Sequence, residues 1–185
     1  MAVPDRSTAR RLLADANLPD GIVVHSEGVA RVATAAAAML AEAQIPIDSS
    51  LVEAAALLHD IDKLEIRRGG GEHGVVGARR LEAAGHPELA MPVASHPLSC
   101  LLDDERFPRG WPSVLVAVAD RHVAQEFLTI DERLDDMKER HPEHADAIEA
   151  ARQPAHALEA ELAEVAGLSP GQLVARLRAA WEAGA

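Results

Sequence analysis

The chain has 185 residues, 48% of them hydrophobic, and a formal net charge of −12 at pH 7. The length and apolar content fit one folded domain with a substantial core and exclude a disordered chain. The acidic balance excludes a general nucleic-acid binder and argues against docking on anionic membranes, because both need clustered Lys and Arg. The single cysteine, Cys100, excludes an internal disulfide and a cysteine-based zinc cluster.

Targeting segments are not indicated by the sequence. Residues 1–6 are polar and lack the apolar core of a signal peptide. The most apolar stretch, residues 32–41, is too short to cross a bilayer. We therefore expect a cytoplasmic protein with no membrane partner.

The residue pattern predicts an all-α fold, because Ala, Leu, Arg and Glu dominate and alternating β-branched runs are rare. In chain order, the predicted helices span residues 6–16, 26–44, 51–62, 73–84, 88–95 and 112–122, with three more between 130 and 184. A Gly- and Arg-rich loop at 67–72 and an irregular stretch at 99–110 interrupt them. Capping-box spacing predicts helix starts at Ser50/Glu53 and at Ser169/Gln172.

The domain organisation is predicted to be one unit over residues 1–185. Its core covers about residues 20–125, and a helical tail covers about residues 126–185. We expect this tail to pack on the core or to mediate self-association, as in a homodimer.

His59 and Asp60 are adjacent at the polar end of the predicted apolar helix 51–62. Further imidazoles and a carboxylate lie on or beside apolar helical segments, where an uncompensated polar group would be costly to bury. They are His25, His73, His96 and Asp120. Imidazole and carboxylate are the usual ligands of hydrolytic transition-metal sites where thiolate is absent. The sequence therefore predicts a metal centre with six protein ligands.

Two divalent transition-metal ions fit this ligand set. One ion would take His25, His59, Asp60 and Asp120, and a second would take His73, His96 and the other oxygen of Asp60. Ions about 3.5–4 Å apart can hold a bridging hydroxide and clamp a phosphate oxygen. Iron is the first expectation, with Mn, Co, Ni, Zn and Mg as alternatives.

Anion contacts are predicted close to the centre. Lys63 follows His59 and Asp60 by about one helical turn, so it shares their face and can meet substrate or leaving-group charge during catalysis. The alternative for Lys63 is a cation that stabilises a helix C-terminus. Further candidate substrate contacts are Arg67, Arg68, Arg106, Arg109 and Arg121. For Arg121, pairing with an acid is an equal alternative.

The order His25, His59-Asp60, Asp120 resembles the signature of the HD-domain metal-dependent phosphohydrolases. His73 and His96 resemble the extra ligands of the subgroup that binds two metals. The phrases at 73–78 and 118–121 are similar to bacterial HD enzymes that split diadenosine tetraphosphate symmetrically. The resemblance covers roughly residues 20–125. It implies an all-helical bundle, two divalent metals and a small phosphorylated substrate, with a nucleotide as the first expectation.

Two other functions stay open at this point. The same six ligands resemble those of the mixed-valent di-iron HD oxygenases, which cleave carbon bonds with dioxygen and act on phosphonate- or polyol-like substrates. A non-catalytic nucleotide-sensing HD module would be expected to lack ligands, and none is missing here.

Several other polar residues receive a structural interpretation. His86, His141, His144 and His156 lie in charged segments and are predicted to be surface residues outside the site. His122, two positions after Asp120, should point away from it on a helix. Asp62 either supports the site or faces water. Cys100 is predicted to be a buried small hydrophobe, because nothing nearby in sequence marks an activating partner.

Overall fold

The computed structural model describes residues 3–184, and over this range it is built from helices. Eleven α-helices follow one another in the described range: α1 Arg6–Asp15, α2 Asp20–Glu42, α3 Ser49–Leu58, α4 Lys63–Arg67, α5 Val75–Ala83, α6 Ala90–Ser95, α7 Trp111–His122, α8 Ile130–Arg140, α9 Ala145–Ala150, α10 Arg152–Val165 and α11 Pro170–Glu182. Short 3-10 turns lie at Pro87–Leu89, Leu98–Leu102 and Pro142–His144. The all-α prediction is confirmed.

Several predicted boundaries need correction. Helix α2 begins at Asp20, directly after Pro19, and not at residue 26. The predicted helix 88–95 is a 3-10 turn followed by the short α6. The tail contains four α-helices where three were predicted, because the helical hydrogen-bonding pattern is interrupted at Ala151, between α9 and α10. Pro154 lies in the first turn of α10, where a missing N–H costs nothing, and does not separate two helices.

The two predicted capping boxes have different outcomes. The box at Ser169 and Gln172 is confirmed, with both of its hydrogen bonds present. The box at Ser50 and Glu53 is wrong, because Asp48 is the N-cap of α3 and accepts a hydrogen bond from Leu51 N at 3.0 Å. Three consecutive residues with side-chain oxygens, Asp48, Ser49 and Ser50, lie at the start of this helix, and spacing alone does not distinguish them.

The centre of the molecule is a bundle of α2, α3 and α7, which contact one another pairwise. Each helix contributes fully buried aliphatic side chains, among them Val29, Val32, Leu40, Leu57, Leu58 and Leu115. Helices α5 and α6 pack together, and α6 also lies against α7. This arrangement places α5 and α6, from the middle of the chain, beside the bundle of α2, α3 and α7.

The tail packs on this bundle. Helix α11 lies against α2, and α10 lies against α7 and α8. His122, at the end of α7, stacks on Phe127 and places its Nε2 atom 2.8 Å from Glu159 Oε2 in α10. His122 therefore points into the tail and away from Asp120, as predicted. The tail therefore packs on the core, and its role in self-association stays a prediction.

The described helices are too short or too polar to span a membrane. Between residues 3 and 184, no helix combines the length and apolar character needed to cross a bilayer.

Candidate metal centre

The six predicted ligands meet at one place, although they come from five segments. His25 lies on α2 and Asp120 on α7, while His59 is the C-cap of α3 and Asp60 follows it. His96 is the C-cap of α6, and His73 lies just before α5. Four of the six are buried, and His25 and His73 are half-buried at the edge. The helices and the segments beside them thus bring these polar side chains together inside the protein.

One group of ligand atoms contains His25, His59 and Asp120. His25 Nε2 lies 3.2 Å from His59 Nε2 and 3.1 Å from Asp120 Oδ1, and His59 Nε2 lies 3.7 Å from the same oxygen. Ligand atoms bound about 2.0–2.2 Å from one transition-metal ion lie roughly 3.0–3.5 Å from each other. These three atoms therefore fit one ion.

A second group contains His73, His96 and Asp60. The two Nε2 atoms are 3.1 Å apart, and Asp60 Oδ1 lies 3.3 Å from His73 and 3.6 Å from His96. Asp60 Oδ1 is also 3.6 Å from His59 Nε2, and Asp60 Oδ2 is 3.8 Å from His25 Nε2. Asp60 consequently lies between the two groups, in the position of a bridging carboxylate.

Hydrogen bonds fix the tautomers of three imidazoles. His59 Nδ1 is 2.7 Å from Ala56 O, His96 Nδ1 is 2.7 Å from Val93 O, and His73 Nδ1 is 2.8 Å from Asp62 Oδ1. Because each partner is an oxygen acceptor, each Nδ1 carries the proton and each Nε2 keeps its lone pair. When both imidazoles are neutral, two such lone pairs face each other across the 3.1 Å between His73 and His96. A cation between them removes this repulsion, so the residues fit a metal.

Burial determines the charge of the central groups. Burial lowers the pKa of His59 to about 4, against the attraction of Asp60 and Asp120, and it also lowers the pKa of His96. Both imidazoles are therefore neutral at pH 7, which is the form that binds metals. Burial alone would raise the pKa of Asp60, but His59, His73 and His96 hold it well below its usual value.

Asp62 faces inward, which settles the alternative left open by its position in the sequence. Its carboxylate is fully buried and accepts hydrogen bonds from His73 Nδ1, from Gly74 N at 2.8 Å and from Gly77 N at 3.0 Å. Gly74 has φ of 81°, and a Cβ there would lie 3.0 Å from the backbone oxygens of Val93 and Ala94. The absence of a side chain thus lets His73 approach the end of α6, where His96 lies.

Arg121 requires a correction. Its side chain is buried, and its Nη2 contacts Asp120 Oδ2 and donates to His96 O at 3.0 Å. It therefore contacts two of the predicted ligand residues, and the acid pairing named as its alternative is the arrangement observed. Burial alone would raise the pKa of Asp120, and Arg121 with His25 holds it well below its usual value.

A cleft of about 670 Å³ opens beside His25 and Asp60. Lys63 and Arg67, two of the predicted anion contacts, line it, and Lys63 Nζ lies 3.4 Å from Asp60 Oδ1. The other wall comes from the tail and includes Arg133 and Arg140 of α8.

Three predicted substrate contacts do not line this cleft within the described range. Arg106 pairs with Asp103 at 2.7 Å and with Glu72, so its guanidinium is already engaged. Arg109 is exposed and donates to Asp104 O at 2.9 Å, and Arg68 is exposed. Loop position in the sequence predicted that these arginines lie near the centre, but Arg106 pairs with acidic side chains and Arg68 and Arg109 are exposed.

The sequence analysis missed the contribution of the tail. Arg133, Asp136, Arg140 and His141 all line the cleft, although His141 was predicted to lie outside the site and the other three were not named as candidates. The spacing of Arg133, Asp136 and Arg140 places them on one face of α8 and could have indicated a charged surface. Nothing in the spacing shows that this face turns toward the metal centre. His86 is half-buried near Glu88, not at the surface.

Comparison with known proteins identifies the family. The model of a family described as "HD domain" matches residues 22–160, which is more than half of the chain and extends past the predicted core into α10. Searches of curated proteins and of solved structures gave no match, so the narrower similarity to symmetrical diadenosine tetraphosphate hydrolases gains no support. The HD family is of the metal-dependent phosphohydrolase type, and its domains bind divalent metals. With its histidines and aspartates gathered at one centre, the chain belongs to the HD domain family.

Proposed function

We propose that this protein is a phosphohydrolase that uses two divalent metal ions to split a phosphoester or phosphoanhydride of a small phosphorylated compound, with a nucleotide as the first substrate class. The observation that carries the proposal is the pair of ligand groups that share Asp60 and open on a cleft lined by Lys63 and Arg67. Iron is the first choice of metal, and Mn, Co, Ni, Zn and Mg also suit histidine and carboxylate ligands.

Each group in the centre has a proposed role. Two divalent ions would supply a hydroxide nucleophile at neutral pH and neutralise charge on phosphoryl oxygens. Asp60 would hold both ions, and His25, His59 and Asp120 would bind one while His73 and His96 bind the other. Lys63 is only half-buried beside Asp60, so its ammonium can meet a phosphoryl oxygen or the leaving group. Arg67 would attract the anion at the entrance.

No protein nucleophile is required. Cys100 is buried, and burial raises the pKa of its thiol, which keeps it protonated at neutral pH. Net negative charge over the whole chain favours a small anionic substrate held locally over a long nucleic acid or a membrane surface.

The test is phosphate release from a panel of mono-, di- and bridged nucleotides by protein of known metal content. We expect release from one substrate class. Lys63→Ala should lower kcat by about ten- to a hundredfold, because it removes one donor to developing charge. Lys138→Ala is the matched control, since Lys138 pairs with Asp135 and Glu149 away from the cleft.

The outcomes separate the three functions considered. Equal loss of activity in both lysine variants would contradict the role of Lys63. Two irons per chain, no phosphate release and oxygen consumption with a phosphonate would identify the di-iron oxygenase. Bound nucleotide without turnover or oxygen consumption would identify the sensing module.

A further inference from the structure

The α8 wall of the cleft contains an arginine whose hydrogen bonds are incomplete. The Arg133 side chain is 15% exposed, and its Nη1 donates one long hydrogen bond of 3.3 Å to Asp136 Oδ2. Its Nε is buried and has no partner among residues 3–184. A buried donor without a partner is costly, and it costs most on a charged group. Arg133 is therefore poised for an acceptor that the folded chain does not supply.

Asp136 does not neutralise this wall. The same carboxylate also accepts from Arg140 Nε at 3.1 Å and contacts Arg140 Nη2. One carboxylate thus faces two guanidinium groups, which leaves one positive charge. Arg140 is half exposed, so its contact with Asp136 can be exchanged for a ligand.

The charge of the whole cleft differs from that of the protein. Four of the 18 basic residues line the cleft, and three of the 30 acidic residues do so, namely Asp60, Glu126 and Asp136. One of these acids, Asp60, belongs to the metal centre. The remaining balance is four cations against two carboxylates in a chain of net charge −12. This local excess favours a ligand with more than one negative group.

The cations form two pairs on different elements. Lys63 and Arg67 are in α4, next to Asp60, and Arg133 and Arg140 are in α8. None of the described cleft residues is Phe or Trp, so stacking on those rings contributes nothing to recognition here. The cleft can therefore select a ligand through the charge and the hydrogen bonds of these two pairs of cations.

We propose that Arg133, together with Arg140, binds a second anionic group of the substrate while the first lies at the metal centre. The substrate class is then a compound with at least two phosphate or other anionic groups, and in a nucleotide the second group is a further phosphate. This inference rests on the proposed phosphohydrolase function, because it assigns the first anionic group to the metal centre. A planar guanidinium with free donors suits a phosphate, which it can bind with two parallel hydrogen bonds.

The experiment compares α,ω-alkane bisphosphonates of three, five and seven carbons with alkyl monophosphonates of the same lengths. Their carbon–phosphorus bonds resist hydrolysis, and the length series covers the unknown distance between the two groups. Binding is measured by anaerobic calorimetric titration of the Mn²⁺-loaded protein. At one length, the bisphosphonate should bind at least about tenfold more tightly than the monophosphonate.

Substitutions test which residues bind the second anionic group. Arg133→Gln should weaken binding of the preferred bisphosphonate by about ten- to a hundredfold and leave the monophosphonate unchanged. Asp136→Asn should strengthen bisphosphonate binding, because it removes the competing carboxylate. Arg176→Gln is the matched control, because it removes the same charge from an exposed position of α11 outside the cleft.

Specific results would overturn the inference. Equal affinity for mono- and bisphosphonates at every length would do so, and so would equal effects of Arg133→Gln and Arg176→Gln. If Arg133→Gln fails to fold, unchanged or weaker bisphosphonate binding by Asp136→Asn would overturn the inference as well. Bisphosphonate preference without phosphate release from any nucleotide would instead remove the proposed reaction and retain the second anion site.

Discussion

Three of the four imidazoles at the candidate metal centre are held in place by hydrogen bonds from their Nδ1 atoms. His59 and His96 donate to main-chain oxygens three residues earlier, so their orientation follows from the helix end itself. His73 precedes α5 and has no such carbonyl in its own turn, and it relies on the Asp62 carboxylate. Metal-bound histidines depend on such partners for their tautomer and basicity. The His73 ligand therefore depends on a single side chain.

Asp62→Asn tests this dependence. The amide oxygen can still accept from His73, but the amide N–H groups would face Gly74 N and Gly77 N, which are also donors. We expect the affinity for one of the two ions to fall by about ten- to a hundredfold, and competition titration with a metal-sensitive dye would measure it. Asp15→Asn, at an exposed site on α1, is the control. If Asp62→Asn binds both metal ions with wild-type affinity, this result would contradict the role of Asp62 as the support of His73.

The metal-free protein should lose stability as the pH falls from 6.5 to 4. The pKa of His59 is about 4 in the folded chain and 6.5 as its ordinary value, so below pH 6.5 the unfolded chain takes up a proton that the folded chain refuses. A difference of this size corresponds to about 3 kcal/mol. Burial lowers the pKa of His96 in the same direction, while Asp60 and Asp62 raise that of His73 and oppose the effect in part.

Urea unfolding of chelator-treated protein at pH 7.5, 6 and 5 would measure this loss. His59→Gln should show a weaker pH dependence than the wild type. A free energy of unfolding that stays constant or rises toward pH 5 would show that the buried imidazole is not the controlling group.

At this scale, the sequence indicated the positions of the six ligand residues but not their supports. These predicted ligands stand out because each lies on or beside an apolar helical segment, namely His25, His59, Asp60, His73, His96 and Asp120. Asp62 and Arg121 could not be assigned in this way, because each is a charged residue at a helix end that either faces water or turns inward. Only the contact with a distant segment distinguishes the two possibilities, such as Asp62 with Gly74 and Gly77.

Helix α2 carries His25 on one side and receives α11 on another. Gly28 makes this second contact, because a Cβ there would overlap the Trp181 ring. Arg31, on the same helix, lies over that ring with its Cζ atom 5.7 Å from the ring centroid and donates to Trp181 O at 3.0 Å. The close approach of α11 thus depends on one missing side chain three residues from a metal-ligand candidate.

Gly28→Ala should therefore destabilise the protein by about 1–3 kcal/mol, because the added methyl group forces Trp181 to move. The higher helix propensity of alanine, about 1 kcal/mol, opposes this effect. Gly171→Ala in α11 is the matched control, since an added Cβ there meets nothing within 4 Å and should not destabilise. Urea unfolding compares the two variants. Equal or greater stability of Gly28→Ala relative to wild type would show that Trp181 does not fill this space.

Helix existence was easier to predict from the sequence than helix ends or helix orientation. Helices α2 and α7 are rich in apolar residues because each packs against several other helices, and such apolar segments are visible in the sequence. The start of α3 depends on whether Asp48 or Ser50 captures a main-chain N–H, and both have the required oxygen. The charged face of α8 reads as solvent-exposed in sequence, but the fold turns Arg133 into the cleft.

At the scale of the whole molecule, the tail completes the candidate site. The match to the HD family extends to residue 160, which includes α8 and most of α10. His122 and Glu159 join the end of α7 to α10, only two residues beyond Asp120. The cleft therefore has one wall from the predicted core and one from the tail, and its cations are concentrated in an otherwise acidic protein. The sequence did not show that core and tail form one cleft, because its two walls are separated by more than 50 residues along the chain.

The most direct test of the two-ion centre is the metal content of wild type and Asp60→Ala, each purified without chelator and measured by elemental analysis. We predict about two ions per wild-type chain and near-complete loss in Asp60→Ala, because Asp60 lies between both ligand groups. Asp15→Ala should keep the wild-type content. An Asp60→Ala protein that is folded, active and still carries two ions would contradict the bridging role of Asp60 and the proposed reaction with it.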